Sequence, residues 1–298
     1  MTKPGRKAEV SLLVTDLDNT LWDWFHAWHS SFSAMLHRLG EMSGLPESIL
    51  EQEIQAVHRE RGTSEYSHLL NELPSLLKLH PDREPLAVYD DAMHVLNSVR
   101  KSTTKLYPGV MATLRELRDK GVPVVAYTES VAYWTEWRIR ATGIDGLIDV
   151  LYSSPDHDLP HGVTVNDLRK RPADAYGLKA TTHRRVPAGI IKPSAHVLDT
   201  ILSDYGIQPH QAAYVGDSLM KDVAMAQQVG ALDVYARYGV AYHKHDYELL
   251  RRVSHWRQED IDRERALAEA SEITPSFTLT RGFAELLDLF EFQRERHG

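Results

Sequence analysis

The 298-residue chain contains no cysteine. Disulfides, thiolate zinc sites and a cysteine nucleophile are thereby excluded, and a reducing compartment, the cytoplasm, is the expectation. The chain also lacks any apolar run near the length that spans a bilayer, and its first residues, MTKPGRKAEV, carry no apolar leader, so no membrane partner is expected. No basic run stands out. The formal net charge is −8 with acids and bases interspersed, which argues against a chain that grips nucleic-acid backbone. Internal repeats and low-complexity tracts are absent too. What is there is the composition of a folded globular protein, 42% hydrophobic and 26% charged. Its length suits one large domain, or a core with a smaller accessory domain.

Residues 9–15 (EVSLLVT) form a near-continuous apolar run, the mark of a strand buried on both faces. The pattern then changes period. Phe25, Trp28, Phe32, Met35 or Leu36, and Leu39 recur at helical spacing, and Gly40 is the expected stop. Leu50, Ile54 and Val57 predict a second helix closed at Gly62. Leu69 to Leu77 predict a third, interrupted by Pro74, and residues 86–101 a fourth. From residue 106 onward, helical stretches alternate with the apolar runs PVVAYT (123–128), LIDVLYSS (147–154) and AAYVGDS (212–218). LDVYARYG, a charged stretch at 241–272, SFTLT and a last helix at 282–293 complete the pattern. The polar segment 155–187 reads as a long irregular insertion. Strands alternating with helices imply right-handed crossovers and a parallel sheet covered on both faces. The expected fold class is therefore α/β. A Rossmann-like parallel-sheet core (1–21 and 106–298) carries an inserted all-helical domain (22–105).

In open α/β sheets the ligand sits at the carboxyl ends of the strands. Polar residues follow four apolar runs here: Asp16 and Asp18, then Thr128, then Lys192, then Asp217 with Asp222. Four carboxylates in one crevice would repel strongly. A divalent cation resolves the repulsion, and all-oxygen ligation suits Mg²⁺. Lys192 and the Thr128 hydroxyl supply donors for an anion. Together these groups describe a site for a phosphoryl group, where catalysis is positioning plus charge stabilisation. One carboxylate of the Asp16/Asp18 pair can attack phosphorus, while the other, two residues on, serves the leaving oxygen and then water. In extended backbone, residues i and i+2 face the same side.

These motifs, DLDNT at 16–20, a strand ending in Thr128, Lys192 before a proline, and GDSLMKD at 216–222, occur in order and resemble the haloacid dehalogenase-like hydrolase superfamily across essentially the whole chain. The resemblance implies that Asp16 is the nucleophile and a metal ligand. It makes Asp18 the general acid/base, with its backbone carbonyl on the metal. Thr128, its neighbour Glu129 and Lys192 are placed at the phosphoryl oxygens, and Asp217 and Asp222 at Mg²⁺. It also implies that residues 22–105 form a cap that opens and closes over the site. Dehalogenase members of the family lack the second aspartate, so Asp18 favours phosphoryl transfer. The expectation is a cytoplasmic, Mg²⁺-dependent phosphatase of a small phosphorylated metabolite. A phosphomutase acting on a sugar phosphate and a non-catalytic phosphate-ligand binding protein are the alternatives, with a 2-haloacid dehalogenase further off.

Three features stand outside these motifs. The turn HRERGTSEYS (58–67) reads first as a solvated helix end whose basic residues complement the helix dipole. His58, Arg59, Arg61, Thr63, Glu65 and Tyr66 surround Gly62 there, and as a specificity element the turn would present Arg59, Arg61, Thr63 and Tyr66 foremost. Trp22 and Trp24 suit pocket lining and hinge packing equally. DHDLPHG (156–162) brings His157 and His161 near two acids without any zinc-ligand spacing, and reads as a polar loop.

Overall fold

A computed structural model describes residues 7–294 apart from 157–158, 161, 169–171, 242–245, 258, 260–261 and 263–272. The segment EVSLLVT breaks at Ser11 into two strands. β1 (Ala8–Val10) and β2 (Leu12–Thr15) belong to different sheets. β2 is the middle of a seven-stranded sheet with β3 (Val124–Val131), β4 (Val150–Ser154), β5 (Thr182–Arg185), β6 (Ala212–Gly216), β7 (Leu232–Ala236) and β8 (Phe277–Leu279). The order is β5-β4-β3-β2-β6-β7-β8, and each pairing is parallel. β1 pairs in parallel with β9 (Phe290–Phe292), tying the two ends of the chain together. The expected last helix is thus shorter than read: a 3-10 turn (Phe283–Glu285) and one α-helical turn (Leu286–Leu289) lead directly into β9. The segment 155–187 likewise yields an ordered piece, since β5 extends the main sheet at its edge.

Alternation along the central strands explains the two-sided burial. Leu13, Ala126 and Val215 face one apolar cluster, while Leu12, Val14, Val125, Tyr127 and Tyr214 face the other. On the second side lie two helices, Ala195–Tyr205 and Ala224–Val229, through Leu198, Ile201, Met225 and Ala226. On the first side lie the helices Val110–Asp119 and Ala132–Thr142, together with a helical insertion between β2 and β3. The sheet is therefore doubly wound.

The insertion begins with α1 (Trp24–Ser43), whose start is capped by Asp23 accepting from His26 N. Gly40 lies inside this helix. The chain leaves it at Gly44, whose φ of 69° is the left-handed turn that glycine tolerates. Phe25, Trp28, Phe32, Met35 and Leu39 are buried, each worth roughly 1.5–3 kcal/mol. They pack with Leu96 and Tyr89 as well as Leu50 and Ile54 of α2 (Glu47–Arg61). Helices α3 (Pro74–Leu79), α4 (Pro85–Val88) and α5 (Asp90–Thr103) complete it, the expected fourth helix being split at Tyr89. A helix from the second half of the chain, Tyr247–Val253, also packs on α2. His58 Nδ1 donates to the Val253 carbonyl at 2.6 Å, and Arg252 forms a two-pronged pair with Glu51. None of this was expected from the charged stretch 241–272. His157 and His161 lie outside the described residues.

Candidate active site

The parallel order β3-β2-β6 puts the carboxyl ends of three neighbouring strands on one edge. Thr15 is in register with Ala126 on one side and Val215 on the other. One or two residues further along come Asp16, Thr128 and Asp217. Lys192 enters from the loop before the helix Ala195–Tyr205, and Asp222 from the π-helical turn Leu219–Val223. That turn lies hard against β6, because a Cβ on Gly216 would stand only 2.2 Å from Asp222 Cγ. Glycine is required there.

Lys192 Nζ lies 2.5 Å from Asp16 Oδ1 and 2.9 Å from Asp222 Oδ1, with all three side chains at most 10% exposed. Tyr214 OH and Ser218 N donate to Asp222, and Thr20 Oγ1 to Asp16 Oδ2 at 3.3 Å. Burial pushes the Asp16 carboxyl up to about 7. Lys192 opposes this, and Asp222 and Asp18 reinforce it. Lys192 is held well above its usual range by Asp16 and Asp222, against the pull of burial. One lysine cannot balance two buried carboxylates with a third beside them. Oxygens of Asp16, Asp217 and Asp222 all lie within 4.8 Å of one another. An all-oxygen set with excess negative charge fits a hard divalent cation.

Asp18 faces a different environment. Trp22 Nε1 donates to its Oδ1 at 2.6 Å, and Ser130 Oγ donates to its Oδ2. Its carboxylate is not part of the three-carboxylate cluster, which leaves its backbone carbonyl as the group expected on a metal. Asn19, with φ 58°, turns the chain out of the core, and its side chain accepts from Phe25 N. Tyr238 OH donates to the Thr20 carbonyl at 2.6 Å and buttresses the same turn.

Thr128 is buried, and its Oγ1 accepts from Ser130 N. The Glu129 carboxylate accepts from Lys192 N at 2.8 Å and from Lys221 Nζ at 2.6 Å. Its side chain therefore holds the Lys192 loop. An ionised carboxylate has no donor to offer a phosphoryl oxygen, so only the backbone N–H of Glu129 suits that purpose.

The turn 58–67 is not a solvated helix end: Thr63, Ser64 and Tyr66 are buried. Arg59 is exposed. Arg61 pairs with Glu72, to which Tyr66 OH also donates, and Thr63 Oγ1 accepts from Glu65 N. Within the turn, Glu65 is the residue that reaches an arginine of the sheet core. Glu65 accepts from Arg138 Nη2 at 2.5 Å and from Trp24 Nε1 at 3.2 Å. Trp22 and Trp24 are thus both buried hydrogen-bond donors to carboxylates, Asp18 and Glu65. Sequence reasoning missed Ser130, Arg138 and Arg100, and had Glu65 only as one polar residue of the turn. Only Ser130 had a signal, standing two residues beyond Thr128 on the same strand.

A sequence model described as haloacid dehalogenase-like hydrolase matches residues 10–230. A glyceraldehyde 3-phosphate phosphatase from Methanopyrus kandleri is 25% identical over 236 residues, covering 77% of this chain and 85% of its own length. Among solved structures, a Thermotoga maritima protein assigned to β-phosphoglucomutase superposes with a TM-score of 0.52 at 16% identity, covering 94% of this chain and 97% of that one. A haloacid dehalogenase-like family hydrolase from Xanthomonas campestris gives 0.48 at 14% identity, covering 79% and 84%. The likeness to the Thermotoga maritima structure concerns the fold alone. Among the described residues no helix is long and apolar enough to cross a membrane.

Proposed function

This chain belongs to the haloacid dehalogenase-like hydrolase family, and on that premise we propose that it is a Mg²⁺-dependent phosphatase acting on a small phosphorylated metabolite. The observation that carries the reading is the division of two neighbouring carboxylates between two environments. Asp16 lies in the lysine and carboxylate cluster, while Asp18 faces Trp22 and Ser130.

Asp16, Asp217, Asp222 and the Asp18 carbonyl would hold Mg²⁺, which when bound neutralises carboxylate and phosphoryl charge. Lys192 and Thr128 orient the phosphoryl oxygens. The Asp16 carboxylate attacks phosphorus, and the bond from phosphorus to the leaving oxygen breaks as Asp18 gives that oxygen a proton. Asp18 then takes a proton from water, which attacks phosphorus, frees Asp16 and releases inorganic phosphate. Alkyl halide displacement needs no proton at a leaving oxygen, so Asp18 has no task in a dehalogenase. The Methanopyrus kandleri relative supports starting with triose and other small sugar phosphates.

Phosphate release from a panel of phosphate monoesters with Mg²⁺ tests the reading. Turnover that vanishes in Asp16→Asn is expected. An inert wild type, or a fully active Asp16→Asn, rejects it. Isomerised sugar phosphate without net phosphate release would instead identify a mutase.

A further inference from the structure

A core arginine stands between two carboxylates beside Asp18. Arg138, in the helix Ala132–Thr142, is 3% exposed. Its Nη2 lies 2.5 Å from both oxygens of Glu65. Its Nη1 stands 3.8 Å from Asp18 Oδ1, beyond hydrogen-bond range, and has no hydrogen-bond partner among the described residues. Glu65 is gripped from other directions as well. The Trp134 indole donates to its carbonyl at 2.8 Å, and Arg100 Nη2 stands 3.9 Å from its carboxylate. Burial would raise the Glu65 carboxyl, but Arg138, Arg100 and the hydrogen bonds from Arg138 and Trp24 together hold it below the usual range. It is a stable anion where it stands.

The chemistry of this arrangement is a competition. A buried guanidinium must keep a carboxylate partner. Arg138 has two within reach, and the short contacts are all to Glu65. Without Glu65, the carboxylate left within ion-pair range among the described residues is Asp18, whose Oδ1 is 3.8 Å from Nη1. A forked arginine pair would occupy the Asp18 oxygens and draw the carboxylate from its place between Trp22 and Ser130. The two competitors come from different parts of the chain. Glu65 is carried by the helical insertion, whereas Arg138 and Asp18 belong to the sheet core.

We propose that Glu65 is a positioning residue: by holding Arg138 it leaves the Asp18 carboxylate in its place beside Trp22 and Ser130, from which it serves the leaving oxygen, and it does so only while the helical insertion is seated on the core. This rests on the phosphatase reading above. The insertion then reports its own closure to the proton-handling group through one ion pair, and with the insertion lifted Arg138 engages Asp18 and silences it.

The test is kcat/KM for a series of esters running from p-nitrophenyl phosphate to glycerol phosphate. This parameter covers only the steps through departure of the leaving group, and only poor leaving groups need a proton. Glu65→Gln should lose roughly tenfold more with glycerol phosphate than with p-nitrophenyl phosphate, the size of a weakened general-acid contribution. The double variant Glu65→Gln/Arg138→Gln should recover most of that extra loss, because the arginine within ion-pair range of Asp18 is gone. If Glu65→Gln does not fold, Glu65→Asp keeps the charge, withdraws its reach and should show the same leaving-group pattern in milder form. Equal losses along the series, or a double variant no better than the single one, overturn the proposal while leaving the phosphatase reading intact. A wild type inert on every ester overturns both.

Discussion

Replacing Asp16 by asparagine separates the electrostatic cost of the acidic cluster from its chemistry. In the metal-free chain, burial raises the Asp16 carboxyl from 3.8 to about 7, with Lys192 opposing and Asp222 reinforcing the shift. Between those values the folded chain keeps a proton that the unfolded chain releases. Rising pH therefore favours unfolding, by about 1.4 kcal/mol per pH unit and about 4 kcal/mol across the whole window, levelling off above pH 7. Other groups titrate in the same range, so the useful quantity is a difference. The stability of Asp16→Asn minus that of wild type should grow between pH 5 and 7.5 when chelator is present.

Urea unfolding followed by circular dichroism measures this difference. Saturating Mg²⁺ should then stabilise wild type strongly and the variant weakly, because a ligand bound only by the folded state adds RT ln(1 + [L]/Kd). At pH 7.5 the sign of the difference should shrink or reverse on adding the metal. An Asp16→Asn protein less stable than wild type in chelator at pH 7.5 would refute the reasoning. So would a difference that does not move with pH, since either result means that Lys192 alone balances the cluster.

Two further outcomes follow from packing and from a buried base. Gly216→Ala drives a methyl to within 2.2 Å of Asp222 Cγ, so Asp222 must shift; a stability cost of about 1–3 kcal/mol is expected, with a weaker thermal response to Mg²⁺ read by calorimetry. His58 is held neutral down to about 4, because burial outweighs its bond to the Val253 carbonyl. The unfolded chain takes up that proton near 6.5 and the folded chain does not, so acid lowers stability by about 3 kcal/mol between pH 6.5 and 4. His58→Gln should flatten this part of the acid limb in urea unfolding, and an unchanged slope would show that His58 is solvated.

Strand and helix alternation was legible because the central strands are buried on both faces, which leaves apolar runs such as LLVT and AAYV. The polar residues ending those runs marked the edge where Asp16, Thr128, Lys192 and Asp222 lie. Boundaries were less legible. Gly40 looks like a helix stop in sequence, but α1 runs on to Ser43, because the left-handed turn belongs to Gly44. The break at Ser11 depends on a strand partner, β9, that lies at the far end of the chain. The partnership of Glu65 with Arg100 and Arg138 was illegible for a stronger reason. Each is a charged residue whose local context reads as solvent-facing, and each is buried only because the others neutralise it. No local window contains a partner 73 positions away.

The same reasoning explains why Asp16 and Asp18 can divide labour two residues apart. A nucleophile needs its carboxylate unprotonated and aimed at phosphorus, and Lys192 with two further carboxylates around a cation site supplies that setting. A proton carrier needs an exchangeable oxygen outside the cation's grip, and the Asp18 carboxylate is drawn away by Trp22 and Ser130. Leu17 between them is fully buried, and Asn19 takes the left-handed turn that carries the chain away from β2. The backbone path through DLDNT thus sends one carboxylate toward the lysine and the next toward the helical insertion. Among the described residues, Arg138 is the cation within ion-pair range of the second, and its short contacts are to Glu65. On the proposed reading, the separation of roles depends on a turn in the helical insertion as well as on the motif that contains the two aspartates.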